Sequence, residues 1–208
     1  SRAFQLMVAT KSLSILEVLS NAAAIIAESE VLQLTNIKNI NIGLKTYFKI
    51  IEGKTAELFS AACETGAMIA TSNLNQIKSF KSYGKSIGIC FQLIDDYLDY
   101  KGDKKIMGKL IGNDFFNSKL TYPIIITLNE GTNSEKEKIE KLFKKKQKTK
   151  NDLKLILEIL DNNNALKKTK IEAIKWSKKA KEEIQKIPQN PITILLQELA
   201  DSIISRSS

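Results

Sequence analysis

The 208-residue sequence contains no histidine. It therefore supplies neither a Ser-His-Asp or Cys-His nucleophile system nor a histidine-bearing zinc site. Its only cysteines, Cys63 and Cys90, are too few for an all-cysteine zinc site or a disulfide framework, and each lies in an apolar context that suits a small core residue. Glycine and proline are scarce, and no proline precedes Pro123. A β-sandwich or barrel needs turn residues about every ten positions, and that punctuation is missing. No apolar run approaches the ~18 residues of a membrane span. Residues Ser1 to Met7 lack the layout of a signal peptide. These absences predict an all-α protein in a soluble, reducing, cytoplasmic setting.

The hydrophobic and charged fractions, 43% and 26%, are those of an ordinary globular domain, and the length fits one domain. The net charge of +9 raises the question of a polyanionic partner. Nearly all of it is lysine, since the only arginines are Arg2 and Arg206, and it concentrates in SEKEKIEKLFKKKQKTK from Ser134 to Lys150. Nucleic-acid surfaces interleave arginine and aromatic residues, and this stretch has only Phe143. A solvated helix face is the better account. No nucleic-acid partner is expected, and a basic nucleic-acid-binding scaffold is kept as a distant alternative.

Helical spacing runs from Arg2 to Leu34 with Leu13, Leu16, Leu19, Ala23, Ile26 and Val31 as its apolar stripe. A helix from Leu44 to Ile51 is predicted to break at Gly53-Lys54-Thr55. Another covers Ala56 to Ala70, a loop covers Asn73 to Gln76, and a long helix runs from about Ser79 to Tyr100. An ordered loop is expected over Lys101 to Tyr122. Helical pattern resumes from Pro123 to Leu128 and then over 134–147, 150–161, 164–186 and 191–205. There is no repeat, linker or domain boundary.

The segment FQLIDDYLDY carries the chemistry. Asp95 and Asp99 are four residues apart and stack on one helix face. Asp96 lies beside them, and Gln92 extends the polar strip. Three close carboxylates near a helix C-terminus repel one another and oppose the macrodipole. The five-residue pattern alone fits a solvated polar face as well as a metal site. Its flanks, Ile87, Phe91, Ile94 and Leu98, make the helix largely buried, where an uncompensated triad is not tolerated. A divalent cation removes the cost. Magnesium fits best, because it takes one or two carboxylates and completes its shell with water and phosphate oxygens. Lys109 and Lys119 in MGKLIGNDFFNSKLTYP, with Lys54-Thr55 after Gly53, suit a diphosphate.

These motifs resemble a known family. GKSIGICFQLIDDYLDY with MGKLIGNDFFNSKLTYP resembles the second aspartate-rich region of the trans-polyprenyl diphosphate synthases. LKTYFKIIEGKTAELFSAACETGA resembles their lysine-threonine helix. SRAFQLMV, AESEVLQL and the closing helix are most similar to the long-chain members, such as bacterial octaprenyl synthases. The resemblance spans essentially the whole chain. It implies the isoprenoid synthase-type helical bundle and a prenyltransferase that joins isopentenyl diphosphate to an allylic diphosphate with Mg2+. Carried over by residue, Asp95, Asp96 and Asp99 hold the metal. Lys54, Lys109 and Lys119 contact the diphosphate, Thr55 and Gln92 line the same site, and Phe91 belongs to an apolar wall. Lys54, Asp95, Asp96 and Lys109 would then be catalytic. The resemblance also implies a homodimer whose lipid products serve quinone side chains, with at most peripheral membrane contact.

The chain departs from the family pattern in two ways. The family's first aspartate-rich motif and arginine pair belong upstream of the segment matching Arg2-Ala3-Phe4 and are not in these 208 residues. Residues 1–208 are therefore expected to form the C-terminal portion of one synthase domain, as a fragment, a split gene product or a subunit that needs a partner. In that case an apolar face should be left open. A non-catalytic remnant or accessory subunit is the alternative to an enzyme. Ser29 and Ser118 stand where glycine is expected.

Overall fold

The computed structural model describes residues 2–101 and 111–206. Among these residues all regular structure is helical. Helices α1 (Arg2–Ala9), α2 (Leu13–Thr35) and α3 (Leu44–Ile51) are followed by a π-helical turn (Glu52–Ala56), α4 (Glu57–Ala70) and α5 (Leu74–Lys101). After the undescribed segment come α6 (Asn113–Phe116), α7 (Tyr122–Glu130), α8 (Asn133–Lys144), α9 (Lys150–Asn162), α10 (Ala165–Gln185) and α11 (Pro191–Ser205).

Helix α5 is the axis of the bundle, packed between α4 on one side and α10 on the other. It has no proline and buries Tyr83, Ile87, Cys90, Leu93, Ile94 and Tyr97. Gly84 and Gly88, one turn apart, let α4 approach to backbone contact. A Cβ on Gly84 would stand 2.4 Å from the Phe59 carbonyl oxygen, and one on Gly88 would stand 2.4 Å from Ala56 Cα. No other residue allows that separation. Helix α2 packs outside α4 and the π turn, while α11 packs outside α10. The Tyr83 hydroxyl donates to the Leu196 carbonyl at 2.8 Å, and Ser177 Oγ donates to the Ala200 carbonyl at 3.0 Å, tying α11 down.

Several boundaries differ from the sequence reading. Thr10 to Ser12 separate α1 from α2, with Ser12 capping α2 through the Ile15 N–H, so the first helix is two. Helix α5 starts five residues early, at Leu74, leaving only Thr71 to Asn73 as the connection. The expected break at Gly53-Lys54-Thr55 is a π turn, through which the helical path continues from α3 into α4.

Only part of the stripe assigned to α2 faces the bundle: Leu16, Leu19 and Ile26 are half-buried, and Ala23 is exposed. Leu13 is 85% exposed and Val31 60% exposed, whereas Ile15, Ala22 and Ser29 are buried. Both faces of α2 are apolar, so hydrophobicity did not distinguish them. Ile15 and the small residues Ala22 and Ser29 took the inner face, and Ser29 meets Gly53 of the π turn there. Phe4, Leu6 and Val8 on α1 are also exposed, giving an open apolar surface. No helix among the described residues is long and apolar enough to cross a membrane.

Candidate functional site

Three separate segments meet at the π turn. Glu52 to Ala56 brings Lys54 and Thr55, α5 brings Gln92 and Asp96, and the irregular residues before α7 bring Lys119. All five line one small cavity of about 40 Å³, closed on the other side by Gln33, Tyr47 and Ile51. That volume holds little more than a water or two and is far below the size of a diphosphate. The chain's own side chains fill the rest.

A π turn places one extra residue in a helical turn and re-aims the side chains that follow. Gly53 lets α2 pack against this turn, because a Cβ at that position would lie 1.8 Å from Ser29 Oγ. Ser29, where glycine was expected, thus occupies the space that Gly53 leaves. The close contact of Gly88 with Ala56 holds the neighbouring Thr55 against Gln92, and Thr55 Oγ donates to Gln92 Oε1 at 3.0 Å.

Both lysines that reach the site already have anionic partners. Lys54 Nζ lies 2.6 Å from Glu30 Oε2 and donates to Gln33 Oε1 at 2.6 Å. Lys119 Nζ pairs with Asp114 Oδ2 at 3.2 Å. Burial pulls the Lys119 ammonium towards neutrality, but Asp96 and Asp114 overcome it, so its pKa stands above the usual lysine value. Lys109, the third expected cation, lies outside the described residues.

The carboxylates separate into two kinds. Asp96 is 1% exposed, and both its oxygens accept hydrogen bonds: Oδ2 from the Tyr47 hydroxyl at 2.7 Å and the Tyr122 N–H at 3.0 Å, Oδ1 from Gln92 Nε2 at 2.9 Å. Burial raises its pKa, against the opposing pull of Lys119, the Tyr122 N–H and Tyr47. Asp95 is half-buried and takes no hydrogen bond among the described residues. Asp99 Oδ2 accepts the Asp114 N–H at 3.0 Å, and burial, then the Asp114 charge, push its pKa up to about 6. One step along a helix turns a side chain by about 100°, so Asp96 leaves the face that Asp95 and Asp99 share. Among the described residues no three acidic or cysteine side chains gather into one metal-ligand group. The donor set that fits magnesium here is Asp95 with Asp99, two carboxylates that leave room for water and phosphate oxygens.

Phe91 stacks on Phe59 with ring centroids 5.7 Å apart, under the Arg206 guanidinium at 5.3 Å. Ser118 adopts φ +58°, the left-handed region that glycine fills without strain. Its hydroxyl is held by Lys148 Nζ. Sequence reading missed Glu30, Gln33 and Tyr47. The first two were discoverable as polar residues three apart in the otherwise apolar SEVLQL, but Tyr47 in TYFKII reads as an ordinary core aromatic.

The chain is similar to known proteins in sequence and fold. The family model described as polyprenyl synthetase matches residues 1–160. Octaprenyl diphosphate synthase of Escherichia coli is 34% identical over 206 residues, covering 99% of this chain and 64% of that protein. Geranylgeranyl diphosphate synthase of Saccharolobus solfataricus is also 34% identical, over 79% of this chain and 49% of its own. Among solved structures, a polyprenyl synthase from Caulobacter crescentus complexed with calcium and isoprenyl diphosphate superposes with a TM-score of 0.94 at 38% identity, over 100% of this chain and 63% of its own. The chain thus spans between 49% and 64% of the length of these relatives. With a match over most of its length and the fold in common, it belongs to the polyprenyl synthetase family.

Proposed function

We propose that this chain carries the diphosphate-releasing half of a polyprenyl diphosphate synthase, which adds isopentenyl diphosphate to an allylic diphosphate to build a long, octaprenyl-class chain. The observation that carries the reading is the convergence of Lys54, Thr55, Gln92, Asp96 and Lys119, from three segments, on one pocket.

In the proposed reaction the allylic C–O bond breaks and its electron pair leaves with the diphosphate. The double bond of isopentenyl diphosphate then forms the new C–C bond, and a proton is lost. The chain's own contribution is electrostatic. Lys54 and Lys119 exchange Glu30 and Asp114 for phosphate oxygens and stabilise the charge that accumulates on the leaving group. Asp95 and Asp99 would hold magnesium, which when bound neutralises diphosphate charge as a Lewis acid. Phe91 and Phe59 form an apolar wall suited to keeping water from the cation. The described cavity must open for this, and breaking the Lys54–Glu30–Gln33 contact is the motion that opens it.

The first aspartate-rich motif and the isopentenyl diphosphate site are assigned to residues outside this chain, supplied by an upstream portion or an associated subunit. We infer a homodimer, supported by the open apolar surface of α1 and α2, in the reducing, cytoplasmic setting that the free thiols of Cys63 and Cys90 suit.

The test is incorporation of labelled isopentenyl diphosphate into longer chains by the purified protein, with magnesium and farnesyl diphosphate. With the upstream portion or associated subunit supplied, incorporation that disappears in Asp95→Ala is expected. Incorporation that survives this substitution overturns the site assignment. A folded chain that binds diphosphate with magnesium but makes no product identifies it as the accessory half.

A further inference from the structure

Lys54 and Thr55 leave the π turn side by side, but only Thr55 is tied to the core. Its hydroxyl donates to Gln92 Oε1, Gln92 Nε2 donates to Asp96 Oδ1, and Asp96 Oδ2 receives both the Tyr47 hydroxyl and the Tyr122 N–H. These bonds form a single chain of contacts from α3 to the pocket, and it has a direction. An ionised carboxylate accepts and never donates. The Tyr122 N–H belongs to the main chain and cannot be reversed. With two donors on Oδ2, Asp96 is held as an acceptor. Gln92 must then turn its NH2 towards Asp96 and its carbonyl towards Thr55. Thr55 must donate inwards, and only its lone pairs remain for the pocket.

We propose that Asp96 and Tyr47 are positioning residues, which through Gln92 fix the Thr55 hydroxyl so that it offers the pocket an acceptor and not a donor. An acceptor at this place repels a bare phosphate oxygen and attracts a cation, whether an ammonium group or a metal-bound water. Thr55 therefore orients the positive groups that hold the diphosphate, and does not bind the diphosphate itself. Asp96 acts without touching metal or substrate, which accords with its burial and its two occupied oxygens. The inference rests on the reading of this pocket as a diphosphate site.

Inorganic pyrophosphate, titrated calorimetrically with magnesium into the 208-residue chain, tests it. Asp96→Asn keeps the shape but reverses the direction. The Tyr122 N–H takes the new carbonyl oxygen, the new amide faces Gln92, Gln92 turns over, and Thr55 must donate outwards. Asp96→Asn and Thr55→Val are each expected to weaken binding about three- to ten-fold, and the double variant to be no weaker than the poorer single one. Undiminished affinity in Asp96→Asn, or losses that multiply in the double variant, overturns the proposal. Should Asp96→Asn not fold, Gln92→Leu at a half-buried position replaces it in the same cycle, and the same two outcomes decide. Asp95→Ala separates this idea from the reading beneath it. If pyrophosphate binding does not depend on magnesium and Asp95, the diphosphate site itself is wrong and the inference falls with it. If it does and the cycle is additive, only the inference falls.

Discussion

The two halves of this molecule use polar residues in opposite ways. In the lysine-rich half, from α8 to α11, hydrogen-bonding side chains close helix ends: Thr132 with Glu135, Thr149 with Asp152 and Asn190 with Thr193 form reciprocal caps. Lysines there pair along or between exposed faces, as in Lys144–Glu140 and Lys181–Asp201. Around the π turn the polar groups instead hold one another across segments, and the carboxylates of α5 reach the starts of other helices: Asp96 takes the Tyr122 N–H of α7 and Asp99 the Asp114 N–H of α6. Asp96 and Asp99 have raised pKa values because burial works against their charge. Caps lower the free energy of the fold, whereas burying Asp96 and Asp99 costs free energy that Lys119 and the hydrogen bonds they accept offset only in part. The difference sets the candidate site apart from the rest of the bundle.

Substitutions sharpen that contrast, because each half should respond to a different measurement. Lys54→Ala is expected to weaken magnesium-dependent pyrophosphate binding on the order of ten- to a hundred-fold. Its effect on the unfolding midpoint should be slight, because the Lys54–Glu30 pair is more than a third exposed on both sides. Parallel calorimetry and thermal unfolding check both parts, and a large stability loss would erase the distinction between the halves. Thr149→Ala should do the reverse. Loss of the cap of α9 costs about 1 kcal/mol in denaturant unfolding and leaves pyrophosphate affinity unchanged.

The smallest effect concerns pH. Asp99 titrates at about 6 in the folded chain and near the usual carboxylate value of about 3.9 when unfolded. The folded state therefore binds the Asp99 proton more tightly. The stability this gives is complete below pH ~4 and disappears as pH rises through about 6. In the absence of magnesium, Asp99→Asn should remove this decline between pH 4 and 6, read as a flatter dependence of the unfolding midpoint on pH. An unchanged slope would mean that Asp99 is not the group responsible.

Much of the site was legible in the sequence because chemistry-bearing residues sat at diagnostic spacings. FQLIDDYLDY showed that Asp95 and Asp99 share a helix face, and the scarcity of proline and glycine showed an all-helical chain. What resisted reading had a common physical origin. The inner face of α2 was misassigned because hydrophobicity measures the tendency to be buried and says nothing about the distance to the neighbour. Ser29 is buried against Gly53 of the π turn, while the more apolar Leu13 and Val31 are exposed. Tyr47 was invisible because its role depends on Asp96, 49 residues away.

The sequence by itself determined the local quantities: helix type, the carboxylate spacing, the capping residues, and the glycines at 53, 84 and 88 that make close approach possible. Only the tertiary structure decided which polar groups meet. Periodicity places a side chain on a face, but it takes a second element to supply a hydrogen-bond partner. Tyr47 and the Tyr122 N–H thus turned Asp96 into a buried acceptor, while Asp95, one residue earlier, is half-buried and takes no hydrogen bond among the described residues.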